Sequence, residues 1–76
     1  MTSLTPRQRT VLAAIATLTE RQGYPPSHRE IAPLVGIGIS TINYHLLSLT
    51  IMGLVDWEPW KARTLHLTAA GKEALG

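Results

Sequence analysis

Twice in its first thirty residues the chain carries the same signal for starting a helix, and the two starts are separated by a stretch no helix can cross. Thr5-Pro6-Arg7-Gln8 and Ser27-His28-Arg29-Glu30 each place a hydroxyl before the helix and a Gln or Glu three residues later. That is the reciprocal capping-box arrangement, and Pro6 adds the preset backbone angle favoured at a first helical position. Between the two boxes, Gly23 suits a left-handed terminator, and Pro25 and Pro26 push the residues before them toward extended backbone. The signals predict a first helix from Pro6 to about Gln22 and a second opening after Ser27. In the first, Val11, Ile15 and Leu18, with Leu12 beside them, form one apolar stripe, while Arg7, Glu20 and Arg21 lie largely off it. At 76 residues the chain is expected to be one domain, residues 1–76, with a single small core.

The second helix carries Ile31, Leu34 and Val35 and ends at Gly36, and Gly36-Ile37-Gly38 leads almost at once into a third. Ile39, Ile42, Leu46 and Leu49 give that helix an apolar stripe flanked by Ser40, Asn43, Tyr44 and Ser48, and Gly53 closes it. Then the period changes. Leu54 to Glu58, with Val55 and Trp57 alternating, and Arg63 to Leu67, with Leu65 and Leu67 alternating, read as two strands joined by a loop over Pro59 to Ala62. Thr68 then caps a last short helix running to Leu75. Pro33, about six residues into the second helix, removes a backbone hydrogen bond and costs about 3 kcal/mol unless that helix bends or is very short. The order implies an α+β, mainly α, fold: a winged helix-turn-helix of three core helices, a β-hairpin wing and a short C-terminal helix.

Composition removes other classes. The chain is 45% hydrophobic and only 16% charged, too apolar for a disordered tail. Without Cys there is neither a disulfide framework nor a thiolate zinc site, and His28, His45 and His66 lie far apart with no carboxylate at ligand spacing, so no metal is expected. No nucleophile, base and oxyanion set supports an enzyme, and no cofactor or small-molecule ligand is evident. Met1 to Ser3 leads straight into the first capped helix, with no signal region and no apolar run of about 18 residues. A soluble, cytoplasmic, nucleoid-associated protein with no membrane partner is expected. A formal net charge of +2 permits nucleic-acid binding without demanding it.

The two short helices around Gly36-Ile37-Gly38 are the central unit, with Gly36 at a left-handed position and Ile37 plugging the gap between helices. In a DNA-binding helix-turn-helix the second helix of such a pair enters the major groove with its N-terminal residues at base edges. Those residues are Ile39, Ser40, Thr41, Asn43 and Tyr44. The plain alternative is a packed helical globule with a hairpin, because helix pairs with Gly turns are common.

Leu4-Thr5-Pro6-Arg7-Gln8, Gly23-Tyr24-Pro25-Pro26-Ser27-His28-Arg29-Glu30-Ile31, Val35-Gly36, His45-Leu46 and Gly53-Leu54-Val55 together resemble the N-terminal DNA-binding domain of LexA repressors. The Gly-Tyr-Pro-Pro-Ser run is the specific part, and the ending Leu67-Thr68-Ala69-Ala70-Gly71 is similar to the last strand and helix of MarR-like regulators. The resemblance implies a sequence-specific regulator of transcription, a repressor, that binds double-stranded DNA. The chain departs from the family in several ways. The turn after Val35 is one residue shorter than in typical LexA proteins, and the Ser-Lys protease half is missing, so no autocleavage is expected. Ala70-Gly71 matches the LexA cleavage dipeptide, but at a helix start it reads as ordinary structure.

Charge is the last departure. No Lys or Arg lies between Arg29 and Lys61, so the reading helix has no cation to fork onto guanine. Asn43 can pair with adenine, Ser40 and Thr41 can reach base edges or phosphate, and Tyr44 can meet a thymine methyl or a phosphate. Phosphate affinity then falls to Arg7, to Ser27, His28 and Arg29 at the start of the second helix, and to Lys61 and Arg63 in the wing. About four to six such contacts give a salt slope of about −4 to −5. Each also has a purely structural reading: a solvated Arg7, an Arg29 paired with a nearby acid, an Arg63 paired across the hairpin with Asp56 or Glu58. Trp57 reads as core or semi-core. Trp60 at the wing tip suits a sugar-phosphate edge or a second protein, and Leu47, Ile51 and Met52 leave an apolar surface suited to a homodimer or another partner. The competing function is a protein–protein adaptor with little DNA affinity.

Overall fold

The computed structural model describes residues 4–76; the reading of Met1 to Ser3 as a short lead-in lies outside the described residues. Four helices and one hairpin follow in the expected order: α1 (Pro6–Gln22), α2 (His28–Val35), α3 (Ile39–Ile51), β1 (Val55–Asp56), β2 (His66–Leu67) and α4 (Ala69–Leu75). Both capping boxes close. The Gln8 amide N–H donates to the Thr5 hydroxyl and the Thr5 N–H to the Gln8 side chain, and Glu30 and Ser27 repeat the exchange. Gly23 and Gly36 terminate α1 and α2 with φ of 79° and 83°, a region costly for any residue with a Cβ.

The core is built by one face of α1 (Val11, Leu12, Ala14, Ile15), Ile31 of α2, one face of α3 (Ile42, Leu46, Leu49), and Val55 and Leu65 from the hairpin. Ile37 packs against this cluster from the turn. The axes of α2 and α3 differ by 105°, inside the roughly 90–120° range of a helix-turn-helix. Among the described residues no single helix is long and apolar enough to cross a membrane. Pro33 sits in a helix of only eight residues, and both it and Arg29, whose carbonyl loses its partner, are exposed. Water can serve that carbonyl, which lowers the cost of the proline.

Three sequence expectations need correction. Ile39 shares the apolar spacing of α3 but is 39% exposed, because as the first residue of the helix it overhangs the packed interface. Met52 is half-buried against the core, whereas Leu47 and Ile51 are exposed as expected. The hairpin is also shorter than Leu54 to Glu58 and Arg63 to Leu67. Only Val55 pairs with Leu67 and Asp56 with His66. Beyond them the Glu58 N–H donates to the Thr64 hydroxyl instead of to a ladder carbonyl, Pro59 has no N–H to give, and Arg63 turns left-handed at φ 57°. The loop is closed by the Lys61 N–H donating to the Glu58 carbonyl and by the Thr64 hydroxyl against Glu58 and Lys61.

Two long-range ties fix the periphery. Arg63 Nη1 lies 3.1 Å from Glu30 Oε1 and 3.2 Å from the Pro25 carbonyl, with its guanidinium 4.9 Å from the centre of the Tyr24 ring. Thus the partner of Arg63 is Glu30 of α2, not Asp56 or Glu58, and it pins the wing to the start of α2. At the other end, Arg9 Nη1 donates to the Ala74 carbonyl, and Gly71 is packed so closely under the Leu54 carbonyl that a Cβ there would collide with backbone. Ala70-Gly71 is therefore part of a tight seam between α4 and the entry to β1.

Gly71→Ala should destabilise the fold by about 1–3 kcal/mol or more, because the colliding atom is backbone and cannot step aside. Urea denaturation checks this, and an unchanged midpoint would contradict the seam. A second prediction concerns acid. The Ser27 backbone N–H, and then the Arg63 guanidinium, hold Glu30 down from 4.5 to about 2. A depressed carboxylate contributes stability above its unfolded value and loses it as pH falls toward its folded value. Stability should therefore decline between about pH 4.5 and about 2, and Glu30→Gln should flatten this decline in denaturation curves taken across that range.

Candidate nucleic-acid interface

Because Ile42, Leu46 and Leu49 are fully buried, the opposite face of α3 is presented outward. Ser40, Thr41, Asn43 and Tyr44 are all exposed, Tyr44 at 67%, and Ile39 joins them. The five residues expected to face bases thus occupy the first two turns of one helix, unobstructed except at Asn43. There the amide oxygen lies 2.7 Å from His28 Nδ1, across the gap between α2 and α3.

The residues expected at phosphates divide into two groups. Ser27, His28, Lys61 and Arg63, together with Trp57 and Trp60, line one open cleft of about 420 Å³ between the start of α2 and the wing. Arg7, at the start of α1, and Arg29, in the first turn of α2, are not among its walls, and both are exposed with no acidic partner among the described residues. Trp60 is 83% exposed on the cleft rim.

The start of α2 is less open than its sequence implied. The Ser27 hydroxyl is taken by the Glu30 N–H and the Ser27 N–H by the Glu30 carboxylate. The amides of His28 and Arg29 are left for an outside acceptor. Glu30 stays a carboxylate down to about pH 2, held first by the Ser27 N–H and then by Arg63, so it places a negative charge beside those amides. Arg63 offsets that charge, and to that extent it is a counterion before it is a phosphate ligand.

Sequence reading missed four contacts: His28 to Asn43, Arg63 to Glu30, Trp57 to His28, with ring centres 4.7 Å apart at 74°, and Trp57 to Thr50, whose Oγ1 accepts from the Trp57 Nε1 at 3.1 Å. No local signal marks them, since the partners are 15, 33, 29 and 7 residues apart. The only available hint was the helix-turn-helix geometry itself, which brings the start of α2 beside the first turns of α3.

Comparisons with known proteins agree with this geometry. Among solved structures, an S. aureus MepR variant superposes with a TM-score of 0.75 at 18% identity, covering 95% of this chain and 53% of that one, which bears on the fold alone. The PcaV transcriptional regulator of Streptomyces coelicolor gives 0.71 at 26% identity, over 96% of this chain and 51% of that one. In sequence, the LexA repressor of Anaeromyxobacter dehalogenans is 43% identical over 77 aligned positions, covering 100% of this chain but 34% of its own length. The chain thus spans about a third of the relatives it matches. The profile of the LexA DNA binding domain matches residues 1–64, and the chain belongs to that family.

Proposed function

We propose that this chain is the DNA-reading head of a transcriptional repressor, in which α3 enters the major groove of double-stranded DNA. The observation that carries the reading is the exposed, uncharged polar face of Ser40, Thr41, Asn43 and Tyr44 at the start of a helix whose other face is locked into the core. Family membership supports it. Asn43 pairs with adenine, Ser40 and Thr41 meet base edges or phosphate, and Ile39 and Tyr44 supply apolar contact to thymine methyls.

Positive charge sits around this face and not on it. Arg29, with the free amides of α2, and Lys61 on the wing hold phosphates, with Arg7 as a further contact and Trp60 against a sugar edge. Repression requires only occupancy of a promoter, and the reading assigns this chain no catalysis. A head of this size buries little DNA, so useful specificity calls for two copies on two half-sites. Leu47 and Ile51, 56% and 79% exposed at the far end of α3, are the surface on which a second copy or another protein would rest.

Fluorescence anisotropy with duplexes selected from a random pool tests this reading. Asn43→Ala should cost about 1–3 kcal/mol on the preferred duplex and relax base preference at one position. Arg29→Ala should weaken all duplexes alike and reduce the salt slope by about 1. Absence of binding to random and selected duplex at low salt would overturn the DNA reading in favour of the protein adaptor.

A further inference from the structure

We propose that His28 is a positioning residue for base recognition: its Nδ1–H holds the Asn43 carboxamide in the orientation that pairs with adenine. The inference rests on the reading of Asn43 as a base-contacting residue and adds the group that makes that residue selective. Among the described residues, His28 to Asn43 is the one side chain to side chain hydrogen bond between α2 and α3, at 2.7 Å. An amide oxygen only accepts, so the proton of that bond is on Nδ1.

The consequence lies in what remains of Asn43. A carboxamide on an exposed helix face rotates and presents its oxygen and nitrogen in either order, and only one order matches adenine, whose amino group donates and whose N7 accepts. Tying Oδ1 to His28 fixes that order. The second lone pair of Oδ1 stays available for the adenine amino group, and Nδ2 is left to donate to N7.

His28 is itself held. Its backbone is the first residue of α2, fixed by the capping box at Ser27 and Glu30. Its ring meets Trp57 edge to face, with centroids 4.7 Å apart. Trp57 is anchored by its Nε1 donating to Thr50 Oγ1, and that hydroxyl donates to the Leu46 carbonyl, inside α3. The chain of contacts starts and ends on the reading helix, passing through the base of the wing and the start of α2. A recognition helix without Arg or Lys depends on such support, because its selectivity comes from a neutral group whose hydrogen-bonding order must be set in advance.

A double-mutant cycle read by anisotropy tests this, with His28→Phe, which keeps a ring against Trp57 but has no donor, His28→Asn, whose amide nitrogen falls near the place of Nδ1, Asn43→Ala, and the Phe and Ala changes combined. On the selected duplex and its three base changes at the Asn43-dependent position, His28→Phe should reduce discrimination about five- to tenfold. It should cause no further loss when Asn43 is already Ala, and His28→Asn should restore discrimination to within about twofold of the parent. Equal weakening on every duplex, or an undiminished effect in the Asn43→Ala background, would reduce His28 to a phosphate or packing residue and overturn the inference. If Asn43→Ala alone leaves base preference unchanged, the reading of Asn43 falls, and the inference with it, on a separate arm of the same cycle. A readout without DNA checks the geometry independently: long-range ¹⁵N spectra of the free protein should show the His28 proton on Nδ1, moving toward Nε2 in Asn43→Ala. A parent protein carrying it on Nε2 would overturn the inference directly.

Discussion

Burying Ile42, Leu46 and Leu49 against α1 decides how α3 is rotated, and the rotation decides what the molecule shows to its surroundings. Each of the three is fully buried, so turning the helix by even one residue would bring Asn43 and Thr50, or Thr41, His45 and Ser48, into the core in place of apolar side chains. Truncating any one of them to a small residue costs about 2–5 kcal/mol, a large share of what a domain this small possesses. The presented face is therefore set by packing and needs no ligand to arrange it. The proposed reading face and its supports depend on that orientation: the exposed polar turn, the reach of His28 to Asn43, and the anchoring of Trp57 on Thr50.

The second organising feature is the separation of reading from charge. Of the seven Lys and Arg, Arg7 and Arg9 lie near the start of α1, Arg29 at the start of α2, and Lys61 and Arg63 on the wing, with Arg21 at the end of α1 and Lys72 in α4, whereas α3 carries none. Charge at the start of α2 is further divided, since Arg63 is spent on Glu30 and Arg29 is left free of acidic partners among the described residues. On the proposed reading, such a layout gives modest non-specific affinity from few phosphate contacts and puts the burden of selectivity on hydrogen bonds of fixed geometry. In that light the Glu30–Arg63 bridge is a structural clamp that sets the wing's approach to α2 and defines one wall of the cleft holding Ser27, His28, Lys61 and Trp60.

Helix limits were legible in the sequence because each is a local event. Thr5, Ser27 and Thr68 cap through hydroxyls within three residues, and Gly23 and Gly36 stop helices by backbone angle alone. The exposed set on α3 was legible for the same reason, as the complement of a helical apolar stripe. What escaped was whatever depends on depth or distance. Spacing put Ile39 in the apolar stripe while its place at the helix start put it among the outward residues, and its exposure agrees with the second reading and not the first. Strand extent was overread, since β-forming residues continue past Asp56 while Thr64 and a left-handed Arg63 end the ladder. The partner of Arg63 was sought within the hairpin, where charges are close in sequence, and lies instead 33 residues away on α2.

The central claim is that the outward face of α3 is the surface that meets DNA. Titration of the ¹⁵N-labelled chain with a selected duplex, followed by amide chemical shifts, tests it most directly. The predicted result is that the largest changes fall on Ile39 to Tyr44, with smaller ones at His28, Arg29 and Lys61, and none on the α1–α4 side around Ala74. Changes confined to that far side, or centred on Ile51 and Trp60 with residues 39 to 44 unmoved, would contradict it.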